Sequence, residues 1–221
     1  MSDASWLILQ LADSAFPTGG FAHSAGLEAG VQLGEIDSSD ALGSFLDDAL
    51  WQAGSLGLPF VRAAHEDDAA LPSLDARSDV LLSGHVTNRA SRTQGRALLD
   101  TAARIFGEPV VRLQSSVRAN GLAVHHAPIF GAVLRVVGVE RVAAQRLFLH
   151  LGLRSVCSAA VRLGVIGPHE AQRMAHAAAS TLDQVMHACA ERSIDAAAQT
   201  SPVIEAMQGA QDRLYSRLFQ S

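Results

Sequence analysis

Residues Glu140 to Leu163 read ERVAAQRLFLHLGLRSVCSAAVRL. Apolar side chains fall on nearly every side of a helix drawn through this run, and no strict apolar–polar alternation marks it as a strand. A helix that is apolar all round belongs in a protein interior, so the segment predicts a central buried helix with others packed about it. Arg154 and Arg162 interrupt the run, and a buried charge needs a partner. The residues leave open whether these two reach core carboxylates, line a polar passage or emerge at a contact between copies.

Working outward, Gly164 to Pro168 reads as a turn with proline placed to start a new helix towards Arg192, and Pro202 opens the last segments. Upstream, Pro128 is placed to open a helix that stops at Gly138. A short helix precedes Asn120-Gly121. Another helical pattern spans Asp79 to about Ile105, with interruptions expected near Gly84 and Gly95, and a glycine-containing turn follows at 106–109. Residues 55–78 are punctuated by Pro59 and Pro72. Leu42, Phe45, Leu46, Ala49 and Leu50 form one apolar stripe behind Ser39, which reads as an N-cap. A first helix is expected from Ser5 to about Ser14, stopped by Pro17 and Gly19-Gly20, and a second from His23 to about Leu33. The fold class is therefore all-α: a single-domain multi-helix bundle over residues 1–221 around a central apolar helix.

Composition agrees. The 221 residues are 48% hydrophobic, 18% charged and only 5% aromatic, a globular balance rich in Ala and Leu, which suit close-packed helices. The net charge of -5 is spread along the chain without a basic run, so no nucleic-acid footprint is present. All 17 basic residues are arginine. A Schiff base, a lysine general base and a P-loop all require lysine, and this chain cannot supply them. Cys157 and Cys189 sit in apolar helical stretches and read as small buried hydrophobes. The uncharged stretch from Ala119 to Leu134 is too short for a membrane span, and the first residues carry no secretory pattern, so a cytoplasmic protein is expected.

Three chemistries can be weighed against the residues. Ala22-His23-Ser24-Ala25-Gly26 approaches the G-x-S-x-G elbow of serine hydrolases, which would make Ser24 a nucleophile. The elbow needs a strand feeding a sharp turn, and none is evident. His169, His176 and His187 share a helix face, but roughly 10 and 16 Å of axial rise separates them, too far for one ion. A helical metallochaperone holding a metal ion by histidine stays open as an alternative. Arg89, Arg92 and Arg96, with Ser91 and Gln94 between them, suit an anion or carboxylate clamp, or else a solvated helix face. Pro17-Thr18-Gly19-Gly20 is too short to cradle a phosphate and reads as a tight turn. No constellation supports catalysis, and no metal or cofactor site is expected in the chain.

Four stretches together resemble the UreF family of urease accessory proteins. They are Ala15 to Glu28 (AFPTGGFAHSAGLE), Arg89 to Arg96 (RASRTQGR), His126 to Gly131 (HAPIFG) with Ala159 to Gly164 (AAVRLG) downstream, and Tyr215 to Ser221 (YSRLFQS). The resemblance implies an all-helical fold that dimerises, binds UreD (UreH in some systems) and recruits the GTPase UreG to deliver nickel to apo-urease. GTP and metal chemistry would belong to the partners, with nickel only in transit. A GTPase-activating role would need an arginine finger, and Arg89, Arg92 and Arg96 are available.

Two regions are expected to carry partner contacts. One is the turn and helix start with Phe16, Pro17, Gly19, Phe21, His23, Ser24 and Glu28, where Phe21, His23 and Glu28 would be exposed. The other is the segment from about 210 to 221, with Tyr215, Arg217, Leu218 and Phe219, read either as a docking tail or as a terminal helix packed on its own core.

Overall fold

A computed structural model describes residues 4–221. Among them there is no strand; the chain is built of α1 (Ala4–Ala12), α2 (Leu27–Gln32), α3 (Ser39–Gln52), α4 (Leu58–Glu66), α5 (Leu71–Leu81), α6 (His85–Phe106), α7 (Glu108–Ala119), α8 (His126–Val136), α9 (Arg141–Arg162), α10 (Pro168–Ala177), α11 (Ala179–Cys189) and α12 (Pro202–Ala210). The all-α expectation holds. No helix among the described residues is long and apolar enough to cross a membrane.

The 140–163 run forms α9, which packs against α1, α2, α3, α4, α8, α10 and α11. It keeps a solvent side at Arg146 and His150, however. The helix enclosed on every side is α8, where Pro128 to Leu134 are all buried. The reason lies in the uncharged stretch 119–134, which brings no charge that must reach water. At the crossing of α8 with α4, a Cβ on Gly131 would sit 2.2 Å from the carbonyl oxygen of Val61. Only glycine allows the two backbones this close.

Local expectations shift in five places. The N-cap of α3 is Ser38, one residue early: its backbone is extended and its Oγ accepts the N–H of Ala41 at 3.2 Å. The helix expected from His23 starts at Leu27, because Ala25 (φ 56°) and Gly26 (φ 93°) are left-handed and cannot continue a helix. Gly95 does not interrupt α6; a Cβ there would lie 2.0 Å from the carbonyl oxygen of Val124, so the glycine serves a close approach. α8 begins at His126, two residues before Pro128. The helix expected from Pro168 to Arg192 bends at Ala178 into α10 and α11. Between α3 and α4, residues 53–57 form one wide π-type turn, so that 39–66 is a single rod with a bulge.

The last segment is neither a helix nor a free tail. After one tight turn at Gln211–Arg213 it runs on without regular structure, bending at 215–216 and 218–219, against residues 22–32. Gln220 N–H donates to Ala22 O and Ser24 N–H to Ser221 O.

Candidate functional site

The four stretches quoted above meet at one place. A cavity of about 650 Å³ is bounded by the 16–25 turn, the cavity-facing side of α6 from Thr87 to Gln94, the start of α8, one face of α9, and Phe219 and Ser221. Residues some two hundred positions apart in the chain thus form one wall.

The turn at Pro17–Gly20 is tight, with Gly19 left-handed (φ 78°), and Pro17 O accepts the hydroxyl of Thr101 at 2.9 Å. Phe16 is buried and stacks on Phe106, ring centres 6.2 Å apart. Phe21 is 70% exposed. His23 and Glu28 were expected at the surface, but they are only 6% and 2% exposed, because the end of the chain covers both.

Glu28 is the clamp. Its carboxylate accepts N–H donors from Leu218 (2.5 Å), Phe219 (3.1 Å) and the Gln211 side chain (2.6 Å). A carboxylate only accepts, so three donors aimed at it satisfy a charge that would otherwise be costly to bury. Gln32 adds a bond to Ser216 O. The clamp buries Phe219 and leaves Tyr215, Arg217 and Leu218 exposed.

Ser24 and His23 are both spent on Ser221. Ser24 Oγ donates to Ser221 O at 3.0 Å, and His23 Nδ1 lies 2.5 Å from Ser221 Oγ. The two neighbours share no hydrogen bond, and Ser24 lies in no strand-to-helix elbow. A nucleophile and base are not assembled here. Burial lowers the pKa of His23 to about 4, with the charge of Arg89 adding to the effect. His126 is likewise lowered to about 4 by burial, then by His23. Its ring stacks on Phe148 and meets Phe130 edge-on. Both imidazoles are neutral at pH 7.

The arginine stretch divides by role. Arg89 grips Asp212 through both terminal nitrogens, at 3.0 and 2.8 Å, and Arg217 and His85 join the same carboxylate. The hydrogen bond from Arg89 holds the Asp212 carboxyl below its usual range. Of the two readings of this stretch, a solvated helix face or a clamp, Arg89 joins both: it stands half-exposed and grips a carboxylate of the same chain. Arg96 donates to Ala123 O, and Arg92 lies half-buried near Asp79. Ser91 Oγ accepts the N–H of His126 and meets His125 Nδ1, each at 3.1 Å. Gln94 faces the cavity.

Arg154 and Arg162 resolve the question posed by α9. Arg154 donates to Ala12 O and Arg162 to Phe21 O. The Arg162 guanidinium also lies between two rings, 3.8 Å from the centre of Phe21 and 4.2 Å from that of Phe219. Both face the cavity, and neither reaches a carboxylate among the described residues.

Sequence reasoning missed Asp75. This buried residue accepts three backbone N–H groups, from Ala123, Val124 and His125, and so holds the left-handed Val124 and the start of α8. An aspartate inside a helix carries no local signal for a partner 48 residues away. His169, His176 and His187 are exposed on α10 and α11. Among the described residues, no group of three or more His, Cys, Asp or Glu is placed to hold a metal ion.

Comparison with known proteins gives a consistent picture. A family model described as UreF matches residues 36–179. Urease accessory protein F of Oryza sativa subsp. indica is 39% identical, over 97% of this chain and 84% of its own length. Urease accessory protein F of Arabidopsis thaliana is 39% identical over 97% and 91%. Urease accessory protein UreF of Trichodesmium erythraeum is 29% identical over 96% and 94%.

Proposed function

The chain belongs to the UreF family of urease accessory proteins, and on that premise we propose that it serves urease maturation as a non-catalytic scaffold in the cytoplasm. In this reading it binds UreD (UreH), recruits the GTPase UreG and promotes nickel insertion into apo-urease, nickel passing through the assembly without a resident site here. It works as a homodimer, for which Trp6 and Leu9, exposed one turn apart on α1, offer an apolar face.

One observation carries the reading. Tyr215 and Leu218 project into solvent from backbone that Glu28 and Gln32 hold in place, and Phe21 does so from the paired turn. Aromatic anchors on a preorganised frame bind a partner with little ordering cost, which is what a docking surface needs. Arg89 and Arg217, half-exposed on Asp212, rim the same segment.

Co-purification with UreD and UreG, followed by urease activation with this chain present or omitted, tests the proposal. Activation that proceeds equally without the chain would refute it. Tight stoichiometric nickel binding by the isolated chain would favour the metallochaperone instead.

A further inference from the structure

The cavity wall has a chemistry that the scaffold role does not use. The chain as a whole is acidic, with 22 Asp and Glu against 17 basic residues, yet among the described residues no Asp or Glu side chain lines the cavity. Among the described residues its charged side chains are Arg154 and Arg162, and both donate to neutral carbonyl oxygens. With no carboxylate beside it to offset its charge, a guanidinium projects a positive field, and low-dielectric walls such as Phe60, Phe148 and Leu151 strengthen that field in the space it faces.

The wall also holds buried polar atoms without partners. Among the described residues, His23 Nε2 and Ser78 Oγ find no hydrogen-bond partner, although the two residues are only 6% and 3% exposed. Buried polar groups are nearly always satisfied, so such atoms at a cavity mark the place of an occupant that is itself polar. The volume, about 650 Å³, falls in the ~300–1,000 Å³ range of small-molecule pockets.

We propose that this cavity binds a small organic acid with an apolar body, its carboxylate on Arg154 and its hydrocarbon along Phe148, Leu151 and Phe60. Arg154 takes the charged end because one terminal nitrogen donates to Ala12 O and the rest of its fork has no partner among the described residues, whereas Arg162 is covered on both faces by phenyl rings. A carboxylate matches that fork in two parallel hydrogen bonds. Arg162 adds to the positive field from about 12 Å further along the helix.

Decanoate is the probe, with decanamide as its neutral counterpart, added to the full-length chain and followed by native mass spectrometry and thermal shift. Decanoate is expected to bind one to one with a saturable rise in Tm, and decanamide at least tenfold more weakly. Arg154→Gln should weaken decanoate at least tenfold at unchanged far-UV circular dichroism. Gly152→Leu supplies a variant that does not touch the arginine: a Cβ at Gly152 meets nothing within 4 Å, so the side chain enters the cavity beside Leu151 and should weaken decanoate by occupying part of its apolar wall. No decanoate binding, equal binding of decanamide, or full binding to folded Gly152→Leu would each overturn the proposal.

Discussion

The buried carboxylate of Glu28 accepts the backbone N–H of Phe219 at 3.1 Å, across 191 residues of chain. The same carboxylate takes the N–H of Leu218 and the side-chain amide of Gln211, so one side chain in α2 determines the path of the whole final segment. That path closes the cavity with Phe219 and turns Tyr215 outward. Fold, cavity and proposed docking surface therefore share one contact.

Glu28→Gln keeps the shape of this side chain but turns one acceptor into a donor facing donors. The loss expected is ~1–3 kcal/mol of stability. It would be read from urea midpoints, with faster protease cleavage near Tyr215. An unchanged midpoint together with unchanged cleavage would show that the segment is held by other contacts.

Two glycines should respond in opposite ways. Gly95→Ala drives a methyl into the backbone of Val124 and should cost ~2–3 kcal/mol or more, since neither chain can yield cheaply. Gly152→Ala lies inside α9 with free space around it and should stabilise by ~0.5–1 kcal/mol. Thermal midpoints of both variants check the pair, and a neutral Gly95→Ala would contradict the close approach of α6 to residues 124–125.

Stability should fall as pH drops from about 6.5 to about 4. His126 and His23 are held neutral by burial, each with a pKa lowered to about 4 from the ordinary imidazole value of 6.5. Within that window the unfolded chain takes up protons that the folded chain refuses, so unfolding gains; above it both states are neutral and no slope remains. Each imidazole adds up to ~1.4 kcal/mol per pH step. Urea midpoints across the window measure the slope, and His126→Phe, which retains a ring against Phe130 and Phe148, should roughly halve it. A flat wild-type profile would sink the assignment of neutral buried histidines.

Tyr215→Ala with Leu218→Ala should abolish capture by UreD while leaving helicity and Tm near wild type, since both side chains are exposed. Deleting the chain from Tyr215 onward is a poorer experiment. It removes buried Phe219 and two of the three donors to Glu28, and should lower stability by several kcal/mol. Capture that survives the double substitution would move the docking surface elsewhere.

The helical class and most of the helices are legible in the residues alone, because apolar periodicity and proline or glycine stops act within a turn or two of the residues that carry them. The stripe from Leu42 to Leu50, the start of α10 at Pro168 and the buried cysteines were all legible in this way. Long-range packing sets the rest: Glu28 and His23 lie inside, Arg89 turns its fork to Asp212, and Asp75 anchors α8. Each of these outcomes depends on which distant segment arrives beside a polar group. A polar side chain looks the same in sequence whether water or a remote N–H satisfies it, and the packing of the assembled chain makes that choice.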